Sequence, residues 1–487
     1  MTPTVGRFTR SDGTVVNRAA NKTTAGNDSV NGAAGNDSID GGDGHDTLIG
    51  AAGFDTIRGG VGNDRIEGRA DNDRLLGNAG RDTILGNSGN DAIFGGVAND
   101  SLFGDGLIIT GIGFGDAEDV INGDNGNDFI VGDVHATWDG DYSTTPDVRG
   151  TGSDTLIGGD GNDRLIGDAS TNYGYANGSG NDSMSGGDGD DFLLGDASSS
   201  YYNGRIIEGS GDDILDGGDG NDVMIGDAGN GGIASVALGT GDDTMFGGLG
   251  NDRMYGDAAQ DNGYNTGLGD DSMSGGDGDD TMFGDAAYGS GNDTLRGGTG
   301  NDRIHGDGVY GSDGDEGGAG DLIFGDDGDD LLTGGVYGEE QPNGGDRDTL
   351  RGGRGDDTLW GGGGTDVLRG AQDNDVFLFY TGDQFTVGDS GVGFRRDVIE
   401  DFQGAGLIGG DLIDLDPFGN DIFEFDGDNK FDSAGDLIRA SNGKGGTIVQ
   451  LHTDGNGTVD MEIELLGVAP TALSGDDFDL GSDGGGW

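Results

Sequence analysis

An aspartate returns in this chain at every ninth residue, and that period constrains the fold more than any other feature. From Asp28 it recurs at Asp37, Asp46, Asp55, Asp64, Asp73, Asp82, Asp91 and Asp100, each two residues before an aliphatic side chain and usually two after a glycine. Residues 41–49 (GGDGHDTLI) and 59–67 (GGVGNDRIE) carry the full pattern, G-G-x-G-x-D-x-U-x, where U is apolar. The register resumes at Asp119 and Asp128. It then runs in pairs nine apart: Asp154 and Asp163, Asp182 and Asp191, Asp213 and Asp222, Asp243 and Asp252, Asp271 and Asp280, Asp293 and Asp302, Asp321 and Asp330. A last run places Asp348, Asp357, Asp366 and Asp375. At all 29 positions the residue two further on is Val, Ile, Leu, Met or Phe, as at Val30, Ile57, Met184, Leu295 and Phe377. A unit carrying one apolar residue cannot bury it alone. Such units bury it by stacking, so the pattern predicts a solenoid.

Each nonapeptide divides into a turn, G-G-x-G-x-D, and a short strand, x-U-x. The two-residue strand period points U inward and its neighbours out. Two nonapeptides then close a flattened coil of 18 residues, and coils stack by parallel pairing at about 4.8 Å. Glycine suits the turn because the backbone visits positive φ there, and because carbonyls converge where a Cβ would intrude. Carboxylates and carbonyls are the hard oxygen donors that calcium gathers six to eight at a time. One turn supplies too few, so an ion is expected between successive coils, held by Asp carboxylates of one and turn carbonyls of both. All 29 aspartates are candidate metal ligands, weakest at Asp100 and Asp119, where Ala98 and Ala117 replace the turn glycine. On these residues the repeat resembles the RTX, or haemolysin-type, calcium-binding nonapeptide. The resemblance implies an all-β fold, a right-handed parallel β-roll binding multiple Ca2+ ions.

Composition agrees. The 114 glycines are periodic, which separates them from low-complexity disorder. With 93 Asp and Glu against 24 Lys and Arg, the net charge of -69 would hold a metal-free chain open by self-repulsion, and it disfavours nucleic acid and anionic membrane as partners. Only 31% of residues are hydrophobic, too few for a broad globular core but enough for one apolar residue per strand. Cysteine is absent, so bound metal is the expected source of the stability that disulfides give many secreted chains. No apolar signal region opens the chain and no run of 18 apolar residues exists, so neither an N-terminal secretion signal nor a membrane span is expected.

Residues 1–22 read as a polar lead-in, residues 23–105 as an uninterrupted roll, and residues 106–377 as a roll whose pairs of nonapeptides are separated by insertions. The insertions commonly open with Gly-Asp, as in GDASTNYGYAN at 167–177 and GDAAQDNGYNT at 256–266. Recurring once per coil, they should leave from one corner as edge loops. Nine of the eleven tyrosines lie in them: Tyr142, Tyr173, Tyr175, Tyr201, Tyr202, Tyr264, Tyr288, Tyr310 and Tyr337. Packing on the neighbouring insertion is the favoured role for these rings, with a binding face the alternative. Six of the eight methionines (Met184, Met224, Met245, Met254, Met273 and Met282) occupy U positions, which makes them core filling rather than a soft-metal row.

Beyond Phe377 the text changes to NDVFLFYTGDQ, RRDVIEDFQG, GDLIDLDPFG, FDSAGDLIRAS and GGTIVQLHTDGNGTVDMEIELLGV, alternating strands and turns. Residues 378–487 therefore read as a β-rich cap. The order of these motifs over residues 374–480 resembles the C-terminal domain of serralysin-type secreted metalloproteases. That resemblance implies a cap on the roll, an uncleaved type I secretion signal, a type I exporter as partner, and a secreted, extracellular or cell-surface location.

The protease itself is not expected. Zincins need His-Glu-x-x-His on a helix, whereas His45, His135, His305 and His452 are far apart in sequence. TDGNGTVD at 453–460 places Val459 where an EF-hand loop requires glycine, so it reads as a hairpin turn. Residues 361–364 are turn glycines without the lysine of a phosphate loop. The favoured reading is a secreted, non-enzymatic calcium-binding repeat protein that folds on meeting extracellular Ca2+. The rivals are a surface-layer or matrix subunit that self-associates through roll ends or loop edges, and an adhesin whose tyrosines stack on cell-surface glycan.

Overall fold

The computed structural model describes residues 6–9, 15–18, 21–22, 25–108, 112–137, 146–171, 175–199, 206–230, 236–259, 264–285, 291–307, 319–335, 347–379, 396–404, 410–415, 424–425, 436–452, 459, 461–474 and 477–479. The chain forms two compact units, Met1–Thr266 and Gly267–Trp487. Both are all-β, and among the described residues no helix is long and apolar enough to cross a membrane.

In Met1–Thr266 alternate nonapeptides supply alternate faces of a parallel β-roll. Ser29–Ala34, Thr47–Ala52, Arg65–Ala70 and Thr83–Ser88 stack on one face, with Val30, Leu48, Ile66 and Ile84 in register. Ser38–Asp43, Thr56–Val61, Arg74–Ala79 and Ala92–Val97 form the other, aligning Ile39, Ile57, Leu75 and Ile93. Partners lie 18 residues apart, and every U residue from Val30 to Phe377 is buried. These eight strands are twice as long as x-U-x, whereas from Ser101–Phe103 onward the strands of one face keep three residues. Thr56–Val61 buries both Ile57 and Gly59, and the second inward position carries no side chain because something else fills the space, as described below. The lead-in is also ordered in part: Gly6–Thr9 pairs antiparallel with Val15–Arg18 and with Ser29–Ala34, covering the otherwise open first rung.

The insertions of this unit are sheets rather than loops. Each leaves the roll as one short strand, of three residues except at Ala258–Ala259, and returns as another of three, and the strands stack parallel on their counterparts in neighbouring insertions. Val134–Ala136, Ala169–Thr171, Ala197–Ser199 and Ala228–Asn230 form the outgoing ladder. Asp147–Arg149, Tyr175–Asn177, Ile206–Glu208 and Val236–Leu238 form the returning one. Stacking satisfies backbone groups that the burial of these segments would otherwise leave unpaired. The outgoing ladder also covers one face of the roll, so the residue after U becomes apolar and buried at Phe103, Val131, Ile166, Leu194 and Ile225. Tyr175 stands 40% exposed on the returning ladder. Tyr142, Tyr173, Tyr201, Tyr202, Tyr288, Tyr310 and Tyr337 lie outside the described residues, as does the side chain of Tyr264.

Gly267–Trp487 repeats the two-faced arrangement from Ser272–Asp277 to Val376–Leu378. The stacking outlasts the regular repeat: Asp397–Ile399 pairs parallel with Val367–Gln372, and Leu412–Asp414 with Val376–Leu378. A three-stranded antiparallel meander, Asp436–Ser441, Thr447–His452 and Met461–Leu465, then joins parallel to Asp397–Ile399. Leu451 lies opposite Met461, as a hairpin requires, and residues 453–458 of its turn lie outside the described residues. Arg396 ties the junction by bonding Glu462 and Glu464 at 2.9 Å each.

Candidate metal centre

Each ladder aspartate is held by its neighbours one coil away. The main-chain N–H of Asp46 donates to Asp64 Oδ1 at 2.8 Å, that of Asp64 to Asp82 at 2.7 Å, and that of Asp82 to Asp100 at 2.8 Å. The other face matches it, Asp55 to Asp73 and Asp73 to Asp91. Where insertions stretch the sequence step from 18 to 28 or 35 residues, the rungs persist, as from Asp91 to Asp119 and from Asp119 to Asp154. In Gly267–Trp487 they run from Asp271 to Asp293, Asp321, Asp348 and Asp366, and from Asp280 to Asp302, Asp330, Asp357 and Asp375. All 29 aspartates of the repeat stand in such columns, two in each unit, every one buried except the half-buried Asp37.

Two rungs escape the nine-residue count. Asp366 donates to Asp397 Oδ1 at 2.8 Å and Asp375 to Asp411 Oδ1 at 3.2 Å. Both obey D-x-U, with Ile399 and Ile413 as U, and that three-residue signal identifies them where spacing does not.

The second carboxylate oxygen occupies the space that the inward glycine vacates. A Cβ on Gly95 would stand 2.5 Å from Asp100 Oδ2 and 2.8 Å from the Gly123 carbonyl oxygen, and one on Gly217 would stand 2.5 Å from Asp222 Oδ2 and 2.7 Å from the Gly247 carbonyl. Asp119 Oδ2 meets Gly104 and the Gly132 carbonyl in the same way. The alanines expected to weaken Asp100 and Asp119 thus leave both carboxylates in place, and Ala98 adopts a left-handed φ of 83° to do so. In Asp46, Asp64, Asp82, Asp100, Asp163 and Asp330 this buried Oδ2 has no hydrogen-bond partner. Burial raises Asp64 to about 6, Asp82 to about 7 and Asp91 to about 8, with the N–H rung opposing it and the like charge of the column neighbour adding to it. A buried, partnerless oxygen on an acid is costly unless a proton or a cation meets it. Carboxylate beside glycine carbonyl is a hard, all-oxygen set that fits calcium.

His45, His135 and His305 take no part in these columns, and the side chain of His452 lies outside the described residues. His135 is buried, stacks on Phe103 with centroids 5.6 Å apart, and is pushed down to about 4 by burial and Arg164. His305 stacks on Phe283 and meets Thr333 Oγ1 at 2.6 Å, and His45 Nδ1 accepts the Asn63 N–H at 2.7 Å.

A further set of buried aspartates, Asp133, Asp168, Asp196 and Asp227, follows the roll glycine at which each insertion starts and flanks the ladder. Reading the insertions as loops hid them; the signal was the recurrent Gly-Asp itself.

The family model described as the RTX calcium-binding nonapeptide repeat matches residues 22–57, 40–75, 49–84, 76–106, 115–134, 149–177, 178–199, 209–233, 235–262, 264–287, 288–308 and 343–377. Among solved structures, the AlgE6R2 subunit of the Azotobacter vinelandii mannuronan C5-epimerase is 24% identical, with 34% of this chain and 90% of that chain covered and a TM-score of 0.22. The AlgE6R3 subunit of the same enzyme is 22% identical, with 40% and 82% covered and a TM-score of 0.23. No curated protein matches the sequence.

Proposed function

The chain belongs to the RTX calcium-binding nonapeptide repeat family, and from that premise we propose that both aspartate columns hold multiple calcium ions and that these ions complete the fold. The observation that carries this reading is the row of buried Oδ2 atoms without partners, each beside a turn-glycine carbonyl. The ladder carboxylates and carbonyls such as those of Gly123 and Gly247 would hold the ions. Bound calcium supplies the positive charge that offsets the desolvation and mutual repulsion of the columns. The chain's own contribution is geometric: N–H rungs fix Oδ1, which turns Oδ2 toward the space left by the inward glycine.

The proposed setting is outside the cell, and the role is non-catalytic. Extracellular modules bind calcium with dissociation constants on the order of 10⁻⁴ to 10⁻³ M, so a column of such sites stays empty inside the cell and fills outside it. The likeness of residues 374–480 to serralysin-type C-terminal domains supports export of the unfolded chain by a type I system. Equilibrium dialysis at about 1 mM calcium followed by metal analysis tests the central part. The expected result is many calcium equivalents per chain, fewer after combined Asp64→Ala and Asp302→Ala substitution. A chain retaining no calcium would overturn the proposal.

A further inference from the structure

The insertions bring a third column of carboxylates to the roll. Asp133, Asp168 and Asp196 are each 0% exposed, and each spends one oxygen on its own insertion. Asp133 Oδ2 accepts the N–H groups of Thr151 and Gly152 at 2.7 and 3.0 Å. Asp168 Oδ2 accepts those of Ser179 and Gly180 at 2.5 and 2.7 Å, and Asp196 Oδ2 those of Ser210 and Gly211 at 2.5 and 2.8 Å. These paired bonds latch the returning chain and fix each carboxylate plane. The other oxygen, Oδ1, is left in all three without a hydrogen-bond partner.

These insertion aspartates cluster with the aspartates of the ladder. Asp133, Asp154 and Asp168 can bring one carboxylate oxygen apiece within 4.8 Å of one another, and so can Asp168, Asp182 and Asp196. Oδ2 of Asp154 and of Asp182 also lacks a hydrogen-bond partner. Glycine again keeps the space open, since a Cβ on Gly152 or Gly180 would lie 2.8 Å from Asp133 Oδ1 or Asp168 Oδ1. Three dry carboxylates at this separation repel one another strongly unless a proton or a cation lies among them.

We infer that the Gly-Asp column of Met1–Thr266 builds a second class of divalent-cation site, in which two insertion aspartates and one ladder aspartate converge on each ion. The sites take calcium, as a hard cation among carboxylates. They bind it more tightly than the ladder sites of the uninterrupted block, because affinity in such sites rises with ligand charge and rigidity. Two of the three ligands of each site stand outside the nonapeptide, so the inference goes beyond the ladder reading and is separable from it.

Asp168 belongs to both clusters, which makes it the decisive position. Calcium titration of the full chain against a chromophoric chelator counts tight equivalents. Asp168→Asn is expected to lose two of them and Asp196→Asn one, whereas Asp64→Asn is expected to lower only the weaker class. Asparagine still offers an oxygen to the Ser179 and Gly180 N–H groups, so a pure latch would tolerate Asp168→Asn and fail only with Asp168→Ala. Circular dichroism at saturating calcium checks that each variant folds. If Asp168→Asn does not reach the wild-type spectrum, the one-equivalent loss in Asp196→Asn decides. Wild-type tight counts in both asparagine variants, with the weaker class reduced by Asp64→Asn, would overturn the inference while leaving the ladder sites standing.

Discussion

The main-chain N–H of Asp64 donates to Asp82 Oδ1 at 2.7 Å, one full coil away. This rung makes each acid both a backbone partner for the coil before it and, through Oδ2, a ligand candidate. Asp64→Ala therefore removes a carboxylate from the column and leaves the buried Asp46 N–H without its acceptor, at a cost of about 1–3 kcal/mol. Ile66→Asp places a charge among fully buried U residues and is expected to cost more. Calcium midpoints followed by circular dichroism should rank wild type, Asp64→Ala and Ile66→Asp in rising order. Equal midpoints would contradict the register.

Gly59 faces Asp64 Oδ2 and, at 2.8 Å from where its Cβ would stand, the Gly77 carbonyl. Gly59→Ala should raise the calcium midpoint several-fold, while Gly363→Ala, with nothing within 4 Å, should not. In the opposite direction, Ala51 is held at a φ of 95° where the repeat prefers glycine. Ala51→Gly should stabilise the roll by about 1 kcal/mol in a chemical denaturation series.

Protons and calcium compete for the same oxygens. In the metal-free fold burial raises Asp64 to about 6, Asp82 to about 7 and Asp91 to about 8, from an ordinary value of 3.8. Between those values the folded chain binds more protons than the unfolded one, so stability falls as pH rises. The contribution is fully present below 3.8 and is lost as pH climbs through 6 to 8. A chelated sample should show more β-structure near about pH 5 than near about pH 8, and calcium binding within that window should release protons. More β-structure at the higher pH without metal would contradict the assignment.

How much of this was legible follows from what the sequence marks. The coil step, the inward row Val30, Leu48 and Ile66, and the buried aspartates all follow from G-x-D-x-U, because one side chain per strand must turn inward. The longer strands were not legible, since their second inward residue is a glycine such as Gly59, which has no hydropathy to register. Ala197–Ser199, stacking on Ala169–Thr171, is small and polar, without the alternation that marks a strand, so the insertions read as loops. Asp397 and Asp411 escaped because their spacing breaks from nine, although Ile399 and Ile413 stand where U belongs.

The proposed type I export, with residues 374–480 as its address, predicts a loss of export when that region is removed. Because Asp397 and Asp411 still belong to the ladder, deleting residues 416–487 separates the proposed export signal from the last rungs, which deletion of residues 374–487 does not. Co-expressed with a type I exporter, both truncations should remain inside the cell while the full chain appears in the medium. Secretion of either truncation would contradict the assignment.

The most direct test is the far-UV circular dichroism of the chelated full chain as calcium is added at neutral pH. A tenfold excess of calcium over its dissociation constant stabilises by roughly 1.4 kcal/mol per site, and summed over the columns this exceeds the 5–15 kcal/mol that typically holds a domain together. The account predicts a coil-like spectrum without metal, a cooperative change to β over the millimolar range, and full reversal with chelator. A chelated chain already rich in β-structure at neutral pH, and unchanged by calcium, would contradict it.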